Sequence, residues 1–209
     1  MTMIVGMNLC EYVLVASDRR EVLLVNDKVD HVISDSVNKI IDWNYGYITG
    51  SGYVSILNEL KKSLVNMEVE TVDQIIDKAT EIVETFSGNF HDLKDKSNWM
   101  LTFVANTEEG RKPRVGIIEA KNPHGIRALN DMTSAIWAKL PSLDEQISNL
   151  NAKLKPIDYF NEPKDSILYH VSLLKELFEY GEKHDETVCS QFDYCIQLSD
   201  GSMFSNINK

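Results

Sequence analysis

Tyr12-Val13-Leu14-Val15-Ala16-Ser17-Asp18-Arg19-Arg20 is the stretch on which the reading of this chain turns. Its first five residues are apolar without a break. A strand exposed on one face alternates apolar and polar residues, whereas a run apolar at every position is buried on both faces. The stretch therefore reads as a strand in a sheet that is covered on both sides, and the polar end, Ser17 to Arg20, marks where it emerges.

Working outward, Ile4-Val5-Gly6-Met7-Asn8-Leu9 is a second strand, joined to the first by a turn at Cys10-Glu11. Segments 21–26 and 29–33 continue as strand, and 40–49 leads into the turn Gly50-Ser51-Gly52. A helix follows, with Tyr53, Ile56, Leu57, Leu60 and Leu64 on one face and Glu59, Lys61 and Lys62 opposite. Thr71 and Gln74 have capping-box spacing for a second helix with the stripe Val72, Ile75, Ile76, Ala79, Val83 and Phe86, stopped at Gly88. Trp99–Ala105 and Arg114–Ala120 flank a turn and form a hairpin. Residues 128–154 read as helical with a break at Pro141, recapped by Ser142 and Glu145. A further helix runs from about Ser166 to Glu182, then a strand at 188–198, the turn Ser199–Ser202 and a short strand from Met203. Antiparallel strands with paired helices predict an α+β fold, with two sheets face to face and helices on both outsides.

Composition bounds the function. The chain has 209 residues, 43% of them hydrophobic, which supports one sizeable core and a single domain over 1–209. A formal net charge of −11 repels phosphate backbones and anionic lipids, so neither nucleic acid nor a membrane is expected as partner. No apolar run approaches the ~20 residues of a membrane span, and the N-terminus lacks the pattern of a secretory signal, so the expected location is cytoplasmic. Cys10, Cys189 and Cys195 read as buried small apolar residues. The five histidines have no ligand spacing, and no metal or other cofactor is expected.

The N-terminal third resembles the proteasome β-subunit family of N-terminal-nucleophile hydrolases, in its bacterial proteasome-related branch. Thr2 follows the initiator Met and precedes a strand. Val13 to Arg20 then resembles the family's second strand with its closing Asp-x-Arg, and Asp18 and Arg20 lie at the family's spacing from Thr2. Lys39-Ile40-Ile41 and Gly46-Tyr47-Ile48-Thr49-Gly50-Ser51-Gly52 resemble the lysine strand and the glycine turn into the first helix. Phe192–Ile196 with Asp200-Gly201 resembles the closing strands. The resemblance is good over residues 2–65, while about 121–165 diverges and is read as a helical insertion.

The resemblance implies a four-layer αββα sandwich and a threonine protease or amidohydrolase that cleaves a peptide or small amide. Thr2 would be nucleophile and, through its own α-amine, base. Asp18 and Lys39, with Lys28 as competitor for the lysine's role, would tune it. The Gly50 N–H would serve the oxyanion, and Arg20, Ile48 and Thr49 would line the substrate pocket. Homo-oligomeric assembly is implied, as is a rival identity: a catalytically silent structural or assembly subunit. The family's Ser-Gly after the central hairpin is replaced here by Ala120-Lys121-Asn122-Pro123-His124-Gly125. Its assisting Asp and Ser have only Asp185, Ser190 and Asp193 in their vicinity.

Overall fold

A computed structural model describes residues 2–25, 28–86 and 97–207 of the chain. Strands β1 (Ile4–Asn8) and β2 (Tyr12–Asp18) form the antiparallel pair foreseen in the sequence. Cys10 turns the chain between them at φ 69°, and the Leu9 N–H donates to the Tyr12 carbonyl. Every residue of both strands is buried. Strands β3 (Glu21–Val25) and β4 (Lys28–Ser34) make a separate ribbon, and β5 (Ile41–Asp42) and β6 (Tyr47–Ser51) follow it. Helices α1 (Val54–Asn66) and α2 (Val72–Phe86) precede the long hairpin β7 (Asn98–Thr107) and β8 (Gly110–Glu119). Then come β9 (Asn122–Ala128), β10 (Thr133–Trp137), α3 (Leu143–Lys153), α4 (Pro163–His184), β11 (Phe192–Leu198) and β12 (Met203–Asn206).

Two five-stranded antiparallel sheets result, ordered β10-β1-β2-β11-β12 and β5-β6-β7-β8-β9. Side-chain alternation sorts each strand between two cores. On β2, Tyr12, Leu14 and Ala16 pack with Leu150 of α3 and with Leu174 and Phe178 of α4. Val13 and Val15 instead meet Met100, Val115 and Ile117 of the other sheet. That second sheet sends Ile48, Trp99, Leu101 and Ile118 outward under α1 and α2. The chain is thus an α+β sandwich in which two stacked sheets carry helices on their outer faces. Gly6 sits where the sheets approach: a Cβ there would lie 2.6 Å from the Met100 sulfur.

The capping box of α2 is formed, with Gln74 N–H donating to Thr71 Oγ1 at 3.3 Å and Thr71 N–H to Gln74 Oε1 at 3.1 Å. Thr71→Ala is expected to cost about 1 kcal/mol, read as a lower urea midpoint with an unchanged slope. Ile82 joins the buried stripe of α2. The expected stop at Gly88 and the Phe86 side chain lie outside the described residues.

Three expectations are corrected. The stretch 128–140 is not helical: β9 ends in it and β10 occupies its centre, pairing with β1. The open edge of β1 supplies ladder bonds that a local helical pattern cannot match, and Ser134 and Ile136 alternate inward as a strand requires. The region 121–165 therefore holds strands as well as α3. Ser142 precedes α3 at φ 50° with no side-chain cap, so its pairing with Glu145 does not form; the Gln146 N–H takes the Ser142 carbonyl instead. Lastly, the closing strand starts at Phe192, because Asp185–Val188 closes a tight turn after α4.

Candidate active site

β1 and β2 end side by side, and their junction carries a buried charge pair. The Asp18 side chain is fully buried, and its Oδ1 accepts from the Met3 N–H at 2.9 Å while its Oδ2 accepts from the Arg20 N–H at 2.9 Å. The Asp18 N–H returns to the Met3 carbonyl, so Asp18 fixes the residue next to Thr2 from both sides. Lys39 completes the group. Its ammonium donates to Asp18 Oδ1 at 2.9 Å and to the Arg20 carbonyl at 2.6 Å. Burial pushes the Asp18 carboxyl above the usual carboxylate range, and the Lys39 ammonium pulls it back toward the ionised form. Lys28 sits exposed on the β3–β4 ribbon, away from this pair.

Thr2 is half-buried at the start of this arrangement, and its carbonyl accepts from Ser51 Oγ at 3.4 Å. Among the described residues the Lys39 ammonium has no hydrogen bond to the Thr2 hydroxyl; its partners are Asp18 and Arg20. β5 covers β6 only at Tyr47 and Ile48, so the same edge of Thr49–Ser51 has no strand partner among the described residues. Gly50 has a packing reason to be glycine, since a Cβ would stand 2.5 Å from Leu57 Cδ2.

Alternation along β6 separates the expected pocket residues. Ile48 points under α1 and α2, where it is 1% exposed, and belongs to that core rather than to a pocket wall. Thr49 is fully buried, and its hydroxyl has no hydrogen-bond partner. Arg20 is committed elsewhere. It grips both oxygens of Asp35 at 2.7 and 2.9 Å and donates to the carbonyls of Glu186 and Val188, so it braces a wall rather than facing a ligand.

That wall belongs to a cleft of about 1080 Å³. Val22, Leu24 and Val29 of the ribbon form an apolar side, Ser51 and Gly52 the floor beside Thr2, and Asp185 with Thr187 the far side. Asp185 Oδ1 accepts from both the N–H and the hydroxyl of Thr187, leaving the buried Oδ2 without a partner. A buried carboxylate oxygen without a donor among the described residues costs free energy, so Asp185 is a strained point of the cleft wall. In the sequence Asp185 stands only in the vicinity of the family's assisting Asp, and its environment is what singles it out.

Lys61 was also hidden. Its helical position sets it opposite the apolar stripe of α1, yet its chain turns inward and its ammonium donates to the Lys39 carbonyl at 2.6 Å. Burial, with the Lys39 charge adding to it, lowers Lys61 to about 8.

Competing nucleophiles are poorly set. Burial raises the Cys189 and Cys195 thiols, and burial with the charges of Asp131 and Glu11 raises Cys10. His170 is held in the helix-covered core by Tyr12 and the Ser166 carbonyl. No helix among the described residues is long and apolar enough to cross a membrane. Compared with models of known protein families and with curated proteins, the chain matches none.

Proposed function

We propose that this chain is an N-terminal-threonine amidohydrolase of the proteasome-like N-terminal-nucleophile type. The observation that carries the reading is the buried Asp18–Lys39 pair, which meets the first strand one residue from Thr2, whose carbonyl accepts from the cleft-lining Ser51. Removal of Met1 would free the Thr2 amine. A free α-amine has a pKa of about 7.7–8.0 and so acts as a base near neutrality. The amine takes the hydroxyl proton as the oxygen attacks the substrate carbonyl, and the Gly50 N–H meets the oxyanion. Collapse expels the amine half of the substrate, which leaves with that proton. Water then cleaves the ester by the reverse sequence of proton transfers. Lys39, held charged by Asp18, lowers the cost of negative charge at Thr2.

The cleft mixes apolar side chains of the ribbon with polar groups of Ser51, Asp185 and Thr187, a lining that suits a peptide or small amide. The acidic chain supports neither nucleic acid nor anionic membranes as partners and accords with a cytoplasmic setting. The reading needs no cofactor. A silent assembly subunit is the second reading, favoured by the absence of a Lys39 hydrogen bond to the Thr2 hydroxyl.

A β-lactone probe distinguishes them. Chains beginning at Thr2 should be acylated, and Thr2→Ala should lose the label while keeping stability within about 0.5 kcal/mol. Labelling that survives Thr2→Ala would sink the assignment. Assembly is proposed for either reading, because Leu23, Leu24, Val32 and Ile33 on the ribbon and Val54 and Val65 on α1 are exposed. Light scattering at micromolar concentration should give a multiple of 23.8 kDa; a monomer would count against it.

A further inference from the structure

Lys61 carries a feature that folding alone does not account for. The residue is half-buried, its ammonium reaches inward to a main-chain carbonyl, and among the described residues no carboxylate lies within ion-pair distance of it. That carbonyl belongs to Lys39. A dehydrated cation without a counter-ion opposes folding. The second cation nearby, Lys39, makes the arrangement costlier still.

We propose that Lys61 is a positioning residue for Lys39, clamping the main chain that delivers the Lys39 ammonium to Asp18. The Lys39 segment joins β4 to β5 and has few holds of its own. Val37 N–H bonds the Arg19 carbonyl, and Ile40 N–H bonds the Asn38 side chain. The Lys39 carbonyl is held by Lys61 from across the fold, on α1. The clamp thus ties the helix that starts at the cleft floor to the lysine of the buried pair. Two other charged groups on the same helix, Glu59 and Lys62, pair with each other, and Asp18 is engaged by Lys39. Among the described residues the proton on Lys61 is therefore opposed by Lys39 and paired with no anion. Its loss in mild alkali weakens the clamp, because a neutral amine is a poorer donor than an ammonium. The effect on turnover rests on the threonine-hydrolase reading; the clamp itself does not.

The experiment uses the full chain with lysine labelled by ¹³C at Cε, as wild type, Lys61→Met and Lys61→Arg. NMR from pH 6 to 10 follows the lysine signals, and β-lactone acylation is timed over the same range. One signal should titrate near pH 8 and vanish in Lys61→Met, and the Lys39 signal should move in step with it. In Lys61→Met the Lys39 signal should be displaced already at neutral pH. The acylation rate at saturating probe should then fall at least about tenfold, since misplacements of order 1 Å cost up to about 100-fold. Lys61→Arg should hold the Lys39 signal constant across the range and keep the rate without an alkaline decline. A Lys39 signal identical in wild type and Lys61→Met would overturn the proposal, whatever the rates. If even wild type fails to acylate, the hydrolase reading falls, while the NMR comparison still decides the clamp.

Discussion

Lys39→Met is expected to lower stability by about 3–5 kcal/mol and to end acylation of Thr2. The side chain of Asp18 has no contact with solvent, and Lys39 is its one cationic partner among the described residues. Removing one member of a buried pair leaves the other charged, dehydrated and uncompensated, and measured costs of that kind are about 3–5 kcal/mol. For a chain of this length each kcal/mol moves the melting temperature by roughly 2–4 °C. The fall should therefore be about 6–20 °C. The double variant Asp18→Asn/Lys39→Met should recover part of the loss, because an amide needs no counter-ion and its oxygen still accepts from the Met3 N–H, although its NH2 then faces the Arg20 N–H. Acylation should stay absent in both. A Lys39→Met protein that unfolds with wild-type stability would mean that the pair is not the buried interaction described here.

Lys61→Met should do the reverse to stability. The folded chain holds Lys61 near 8, against 10.5 for the ordinary side chain. Between those values the unfolded chain binds more protons, so this group makes stability rise with pH from about 8 to about 10.5. Below 8 its full cost is present. A shift of that size corresponds to at most about 3 kcal/mol. Methionine has nearly the same length and no charge to dehydrate, so the variant should escape that cost at pH 7, less what the loosened Lys39–Asp18 pair and the freed Lys39 carbonyl lose, for a net gain of up to about 1–2 kcal/mol. Because tyrosines and cysteines titrate in the same window, the test is the difference between the two unfolding curves at each pH. That difference should shrink from pH 8 to pH 10. A variant less stable than wild type at pH 7 would contradict the assigned burial. A gain in stability with a loss of acylation is the signature of a group kept for function at the expense of the fold.

Much of the sandwich was legible because β1 and β2 are apolar at nearly every position, and such strands have few other places to go. Asp18 and Lys39 were legible through the family-like order of residues, and the structure brings them into contact. The 128–140 segment was not, since its strand character comes from the open edge of β1, more than 120 residues away in sequence. Ile48 was misjudged by one step of alternation: it shares a face with Gly50, and that face lies under the helices. The sequence sets Lys61 opposite the apolar stripe of its helix, and that position says nothing of where its ammonium goes. A four-carbon stem can carry a charge well away from the face where its Cα lies, and helical periodicity does not record that. Asp185 was named in the sequence only as lying near the family's assisting Asp, and the lack of a partner for its Oδ2 among the described residues is a fact of three-dimensional packing.

The central claim is that hydroxyl and base belong to one residue, Thr2. A peptide epoxyketone tests this in one adduct, because the hydroxyl adds to the ketone and the amine of the same residue opens the epoxide, closing a ring. Protein should be treated with the probe, digested and mapped by mass spectrometry. The account predicts a cyclic adduct on the peptide that begins at Thr2, confined to chains that have lost Met1. An adduct on Cys10 or another side chain, or no adduct on chains shown to begin at Thr2, would contradict it.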